Sequence, residues 1–299
     1  MWFRNLRIFR LPTDGAPDAA RLNDLLAAHP LTRCGGFDMH SRGWVYPRTE
    51  GQFVHAVNRQ YLLALGVEQK LLPTTVVRQV ALDRAAQVEA EQGRKVGRKE
   101  LRELRDRVTD ELLPKAFTQR RTTWGWIDPV NAWLVVDAGS DARCDEFMES
   151  LSPLIKDQAL RPLQTQVSPG SAMTEWLNAG AAPAGFSVDR DLELKSVGGD
   201  AAIRYVHHAL EGREIREHIG AGKVVTRLGM TWNDKISFVL SDKLQLKRLG
   251  FLDILKEEAE QDAQSADEQF DVDFALMAGE LALLFRDLVA ALGGEMTRT

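Results

Sequence analysis

The chain has 299 residues, of which 44% are hydrophobic and 27% are charged, and these fractions are typical of a folded globular protein rather than a disordered one. No segment approaches the roughly 20 consecutive apolar residues that span a bilayer. The formal net charge of −5 is uneven: residues 253–299 hold 12 acidic and 3 basic side chains (−9), so residues 1–252 hold 31 and 35 (+4). Because local charge decides whether phosphates are attracted, a nucleic-acid partner is not excluded.

Two cysteines, Cys34 and Cys144, lie far apart and lack the spacing of metal ligands. Isolated thiols are typical of a reducing compartment, so we expect a cytoplasmic protein whose cysteines are small core residues. The first ten residues carry an arginine at every third position from Arg4, which interrupts the apolar run of a secretory signal. We predict a strand over 2–11 instead, followed by a helix over 18–28 and strands over 51–57 and 60–65.

The segment 73–113 is predicted to form two helices joined by a basic turn. Residues 94–107 hold seven basic and three acidic side chains, and Gly93 and Gly97 interrupt the helical pattern. The apolar positions recur every three or four residues: Val77, Val80, Ala81, Ala85 and Val88, then Leu101, Leu104, Val108 and Leu112. Because both stripes are narrow, we expect a protruding helical hairpin that packs against another surface. A solvated helix face with internal ion pairs is the alternative for its basic part.

Strands and helices mix irregularly in the rest of the chain. The predicted strands are 121–127, 132–136 and 160–166, the predicted helices are 141–151 and 173–177, and 186–249 is mostly strand with a helix near 213–219. Apolar residues at spacings of four and three between Phe270 and Leu288 predict a long final helix, ended by Gly293 and Gly294. The fold class is therefore α+β, with mixed antiparallel sheets. We expect a central region (1–72 plus 114–170), the arm 73–113 and a second region 171–299.

One predicted β-hairpin has a polar face suited to a partner. Strict alternation puts Val224, Leu228 and Met230 on an apolar face of the strand 223–230. Pairing Met230 with Phe238 and Leu228 with Leu240 matches this face to that of the next strand. The same alternation puts Lys223 and Arg227 on the polar face, and Lys247 and Arg248 follow closely. Contact with DNA and simple solvation are both compatible with such a face.

Motifs for catalysis are weak. Gly220–Lys223 resembles the end of a phosphate-binding loop, but the first glycine and the final hydroxyl of that motif are missing. Asp191, Glu193 and Lys195 alternate as in metal-dependent nucleases, and equally as in any half-buried strand. The six histidines have no metal-ligand spacing, and no Gly-x-Ser-x-Gly sequence occurs. We therefore expect no cofactor, no metal and no enzymatic activity, with a nuclease as the alternative.

Short tracts along nearly the whole chain resemble the RdgC family in order and spacing. No tract is a catalytic fingerprint, but the combination is specific. The tracts are Met1–Leu6, Gly43–Val45, Leu72–Pro73, Leu112–Phe117, Trp126–Asp128, Thr174–Trp176, Glu193–Lys195, His218–Leu228, Leu246–Leu249, Phe270–Phe274 and Met277–Leu281.

The resemblance implies a ring-shaped homodimer whose basic central hole accommodates duplex DNA with little sequence preference. The resemblance does not decide whether single-stranded DNA is bound as well. It also implies association with the nucleoid and a role in limiting the access of the RecA recombinase to DNA. An acidic protein–protein adaptor that acts through its carboxyl-terminal region is a further alternative.

The resemblance and the charge pattern together select two sets of candidate residues. The dimer set contains Phe117, Leu101, Leu104 and Val108. The chain departs from the family pattern after Arg204, where Tyr205-Val206-His207-His208 is less basic than expected. The candidate DNA-binding residues are Arg204, His207, His208, Lys223, Arg227, Lys247 and Arg248.

Overall fold

The computed structural model describes residues 1–11, 18–155, 160–199, 201–210, 212–253, 255 and 265–296. Its strands are β1 (Leu6–Arg10), β2 (His40–Val45), β3 (Val54–Val57), β4 (Gln60–Lys70), β5 (Thr118–Asp128), β6 (Trp133–Asp137), β7 (Arg161–Pro162), β8 (Phe186–Ser196), β9 (Ala202–Tyr205), β10 (Lys223–Trp232), β11 (Ile236–Ser241) and β12 (Gln245–Phe251). Its helices are α1 (Ala19–Ala27), α2 (Thr74–Gln92), α3 (Arg98–Leu112), α4 (Asp141–Leu151), α5 (Pro169–Ala179), α6 (Arg213–Gly220) and α7 (Ala266–Ala291), with a 3₁₀ turn at Leu113–Lys115.

These strands form one antiparallel sheet in the order β2-β4-β5-β6-β1-β12-β11-β10-β8-β9, with β3 on β4 and β7 on β1. Among the described residues, its halves are joined by the pairs Leu6 with Leu246 and Arg7 with Gln245, and the Leu249 amide also donates to the Arg4 carbonyl at 2.9 Å. The predicted α+β class and antiparallel pairing are confirmed. The division into two regions at residue 170 stays a prediction.

The sheet is covered unequally on its two faces. Neighbouring residues of β4, Leu62 and Leu63, belong to different hydrophobic clusters, because successive side chains of a strand point to opposite faces. One cluster contains α5 and α7 and extends from β1 to β12. The other contains α1 and α4 and includes no residue of β8–β12. In the described part of the chain, β8–β12 are therefore packed on one face and open on the other.

Local patterns predicted several elements well. The predicted register of β10 and β11 is confirmed, with Leu228 opposite Leu240 and Met230 opposite Phe238. The long final helix is confirmed as α7, and its stripe is buried from Phe274 to Leu288. No helix in the described ranges is both long and apolar enough to cross a membrane.

Other elements differ from the predictions. The strand predicted over 160–166 is reduced to β7, because Pro162 lacks an amide N–H and the amides of Gln166 and Val167 donate to carbonyls just beyond α7. Strand β2 was not predicted, since its polar sequence does not alternate. Its backbone lies against Pro30 at Gly43, where a Cβ would come within 2.5 Å of the Pro30 carbonyl.

The predicted arm consists of two helices in contact with each other. Arg84 of α2 forms an ion pair with Glu111 of α3, at 2.6 Å. Little of either helix is buried: Ala81 and Ala85 on α2, and Val108 on α3. At the base of the pair the buried Lys70 side chain donates to the carbonyls of Gly36 and Leu113, at 2.6 and 2.9 Å. These bonds connect the end of β4 to the end of α3.

Two glycine substitutions should change stability in opposite directions. Gly125→Ala places a methyl group against the ring of Phe147, which is fully buried and holds α4 on the sheet. We expect a loss of about 1–3 kcal/mol in the free energy of unfolding, because a packed core resists added volume. Gly279 lies exposed within α7 with no atom near an added Cβ, so Gly279→Ala should add up to about 1 kcal/mol. Urea denaturation measures both, and equal effects would contradict this packing of α4.

Candidate nucleic-acid interface

Cations from three strands meet on the open face of the sheet. Arg204 of β9, Arg227 of β10, and Lys247 and Arg248 of β12 line one pocket of about 140 Å³. The carboxylates of Asp191 and Glu193 on β8 line the same pocket. Four of the seven predicted DNA-binding residues are thus together, and so are two of the three nuclease candidates. The lining has four positive and two negative charges, a balance of +2.

A β-bulge in β10 orients Arg227. Val225 pairs with Leu194 and Leu228 pairs with Leu192, so Thr226 and Arg227 together lie opposite the single residue Glu193. The extra residue reverses the alternation of the strand. Val225 and Leu228 are therefore both buried in the core, while Thr226 and Arg227 face Glu193.

The same bulge corrects a prediction about Lys223. We predicted from strict alternation that Lys223 and Arg227 share one polar face, and that prediction is wrong. Lys223 lies before the bulge, on the same side of β10 as the buried Val225, and Val224 is the exposed neighbour. The structure therefore separates Lys223 from the pocket that contains Arg227.

A second bulge places Lys247 and Arg248 side by side. Lys247 pairs with Val239 and Gly250 pairs with Ser237, so β12 has one residue more than β11 between these pairs. Arg248 has a left-handed backbone with φ of 54°, a conformation that costs a non-glycine residue on the order of 1–2 kcal/mol. Leu246 and Leu249 are both buried, which leaves the two cations on the open face. Strained backbone of this kind is frequent at functional sites.

Glu193 is the buried centre of the cluster, with a side chain only 7% exposed. One carboxylate oxygen accepts from Arg204 at 2.6 Å and lies 3.6 Å from Arg227. The other accepts from the Thr226 hydroxyl at 3.1 Å and lies 3.7 Å from Lys195. Burial alone would raise the pKa of Glu193, but the bonds from Arg204 and Thr226 and the nearby charges outweigh it and hold the pKa below its usual value. Glu193 therefore stays ionised near neutral pH.

The ion pairs and hydrogen bonds of Glu193 and Asp191 argue against the alternative that these carboxylates bind a nuclease metal. A metal-binding carboxylate needs an oxygen free for the ion. Both oxygens of Glu193 are engaged, and Asp191 lies 3.6 Å from Arg248 and accepts from the amide of His207. Within the described ranges, no three His, Cys, Asp or Glu residues are grouped so that they could hold a metal ion.

The two predicted histidines lie at the rim. His207 lines a neighbouring open cavity of about 530 Å³ with Asp191 and Arg248, and its backbone is left-handed with φ of 52°. His208 is turned away, with its ring 5.3 Å from that of Tyr205 and 3.8 Å from Glu214. Only His207 thus borders the cation cluster.

Two cations of this face were missed from the sequence. Arg7 on β1 forms an ion pair with Asp141 in the first turn of α4. Arg7 pairs with Gln245, two residues before Lys247 on β12, so Arg7 and Lys247 lie on the same side of the sheet. Burial lowers the pKa of Lys247, and the positive charges of Arg227, Arg7 and Lys243, the second missed cation, lower it further, whereas Asp141 raises it. Arg7 was visible as one of the regularly spaced arginines of β1, but only the pairing of β1 with β12 brings it to this face.

The predicted dimer residues differ greatly in exposure. Phe117 is 83% exposed, whereas Val108 is fully buried within the chain and Leu101 and Leu104 are half-buried.

Three exposed apolar side chains lie at the ends of neighbouring strands: Met39 precedes β2, Leu71 follows β4 and Phe117 precedes β5. We call Met39, Leu71 and Phe117 the apolar edge. The Leu71 amide donates to the Phe117 carbonyl at 2.7 Å, which fixes two of its members beside each other.

Comparison with known proteins gives full-length matches. A family model described as "Putative exonuclease, RdgC" matches residues 1–295. A protein of Dechloromonas aromatica named recombination-associated protein RdgC is 52% identical over 300 residues, covering 99% of each chain. Proteins of the same name from Janthinobacterium sp. and Herminiimonas arsenicoxydans are each 52% identical over 299 residues, covering 100% of each chain.

Proposed function

The chain belongs to the RdgC family of recombination-associated proteins, and from this premise we propose that it binds DNA without sequence preference and without cutting it. We further propose that it acts as a ring-shaped dimer on the nucleoid and limits the access of the RecA recombinase to DNA. The observation that carries the proposal is the cluster of Arg204, Arg227, Lys247 and Arg248 on an open sheet face.

The chemistry of this face suits the DNA backbone. Arginine and lysine side chains contact phosphates irrespective of the base sequence, and such contacts position a protein on the duplex without reading it. The cluster lies on strands of a sheet, and among the described residues no helix is presented there for the major groove. Proposed DNA contacts are therefore Arg204, Arg227, Lys247 and Arg248, with His207 at the rim and Arg7 and Lys243 beside them.

The apolar edge supports the dimer proposal. Aromatic residues are enriched at protein interfaces, and Phe117 is too exposed to contribute to the core of its own chain. A dimer of this kind repeats the same contacts on both subunits and doubles the number of basic clusters. In this proposal α2 and α3 form the protruding arm beside the contact, with Leu101 and Leu104 on its surface and Val108 inside it. A dimer that covers duplex DNA would then obstruct RecA.

A metal-dependent nuclease that uses Asp191, Glu193 and Lys195 is the second candidate. The family description names an exonuclease, and the three residues share one strand. The ion pairs of Glu193 argue against this role, because a metal would have to displace Arg204 or Lys195. The acidic adaptor, the third candidate, requires neither DNA binding nor cleavage.

One binding experiment separates the three functions. Labelled duplexes of unrelated sequence are titrated with the protein, with and without magnesium, at several salt concentrations. We expect affinities within about tenfold of each other, intact DNA, and a decrease in log K with log[salt] of about 0.9 for each phosphate contacted. Cleavage that depends on magnesium would support the nuclease, and absence of binding would support the adaptor. A preference above about tenfold for one sequence would contradict backbone recognition.

A further inference from the structure

Glu193 is an unusual component of a surface that is proposed to bind an anion. Its carboxylate repels phosphate, yet it lies at the centre of the cations and is buried, while Arg204 and Arg227 are 61% and 44% exposed. A buried charge is costly unless it is paired, and this one is paired with three cations and a hydroxyl. Its place behind the arginines, rather than among them, indicates a structural task within the site.

We propose that Glu193 is a positioning residue of the DNA interface, which holds Arg204 and Arg227 with their free N–H groups directed at a backbone phosphate. The proposal rests on the proposed function. A guanidinium group has five N–H donors in a planar fork, and the bond from Arg204 to Glu193 uses one nitrogen of that fork. The other donors remain available on the exposed side. Arg227 is placed by the bulge, and its guanidinium lies 3.6 Å from the same carboxylate oxygen, in an ion pair without a hydrogen bond.

Arginine side chains that are ordered before DNA arrives should bind it more tightly. A long side chain that is mobile in the free protein loses rotamer freedom when it binds a phosphate, and this loss weakens binding. In the free protein Arg204 already donates a hydrogen bond to Glu193, and Arg227 lies within ion-pair distance of the same carboxylate. Removal of the Glu193 carboxylate should therefore weaken DNA binding, although it removes a negative charge from the site. Simple electrostatics predicts the opposite result.

Asp191 provides the matched control. It lines the same pocket but is more exposed, and the cation it faces, Arg248, lies 3.6 Å away without a hydrogen bond and is placed by the bulge in β12. Asp191→Asn thus removes one negative charge without releasing Arg204 and Arg227. Glu193→Gln removes one negative charge and weakens their contacts, because a neutral amide with one acceptor oxygen replaces the carboxylate. Glu193→Asp keeps the charge and shortens the side chain by one methylene, so it changes geometry alone.

The test is a titration of a labelled duplex with the full-length wild type and these three variants by fluorescence anisotropy, at several salt concentrations. We expect Glu193→Gln to bind about tenfold more weakly or worse. Its salt slope should be shallower by about 0.9 for each phosphate that the arginines no longer neutralise. Glu193→Asp should fall between it and the wild type, and Asp191→Asn should bind as well as the wild type or better. Melting temperatures establish that each variant is folded.

Two other outcomes have separate meanings. If the wild type binds DNA and both Glu193 variants bind as tightly as Asp191→Asn, the positioning role is wrong while the proposed function stands. If the wild type does not bind duplex DNA, the proposed function fails and the positioning role fails with it. Should Glu193→Gln not fold, the comparison of Glu193→Asp with the wild type decides, because the net charge of these two proteins is the same.

Discussion

Replacement of Arg227 and Lys247 by glutamine should weaken duplex binding by about 30- to 1,000-fold. Both side chains line the pocket of the open face, so four phosphates are no longer neutralised by a dimer. At about 0.5–1 kcal/mol for each solvent-exposed ion pair, the binding free energy falls by about 2–4 kcal/mol. The salt slope should become shallower by up to about 3.6, or about 0.9 for each of four phosphates. Anisotropy titrations between low and moderate salt measure both quantities.

Lys223→Gln is the matched control for this double variant. Lys223 is on the same strand as Arg227, but the bulge at Thr226 puts it on the opposite side, next to Val225. We expect near-normal affinity and an unchanged slope. If Lys223→Gln weakened binding as much as the double variant, the contact surface would not be the open face. Glutamine is chosen because a glutamate at 227 would repel Glu193 and disturb the fold.

Replacement of Phe117 by aspartate should dissociate the proposed dimer. Phe117 is 83% exposed and lies beside Leu71 on the apolar edge. A central aromatic residue of an interface contributes at least about 2 kcal/mol, and a symmetric dimer contains two copies. The dimer dissociation constant should therefore rise about 1,000-fold, with little change in the melting temperature of the monomer. Analytical ultracentrifugation over a range of concentrations measures the shift.

Val130→Asp is the control for this substitution. Val130 is also exposed, at 58%, but it follows the other end of the eleven-residue strand β5, roughly 33 Å from Phe117. It should leave the dimer intact. An unchanged dimer in Phe117→Asp would show that the apolar edge is not the subunit contact. A wild type that sediments as a monomer at all concentrations would refute the dimer itself.

The elements that could be predicted from the sequence are those set by short-range periodicity. The stripe of α7 is buried as its spacing predicts, because residues three and four apart lie on one side of a helix whatever surrounds it. The pairing of β10 with β11 was equally accessible, since the short loop between Trp232 and Ile236 and the apolar alternation allow one register. Tracts along the whole chain identified the family.

The candidate site could be predicted only in part. Arg227, Lys247 and Arg248 were selected because basic residues cluster along 223–249, and Arg204 through the family resemblance. Nothing local indicated that Glu193, singled out for catalysis, would form ion pairs with those cations. Its neighbours come from β9 and β10, and the distance from Glu193 to Arg227 depends on strand pairing rather than on sequence separation.

Tertiary structure alone decided which side chains share the open face. A β-bulge arises when two paired strands contribute unequal numbers of residues between the same two contacts, so neither strand shows it by itself. The extra residue at Thr226 moved Lys223 away from Arg227, and the extra residue at Arg248 put two consecutive cations on one side. Periodicity therefore determined the elements of this protein, while the register between strands determined the charge of its surface.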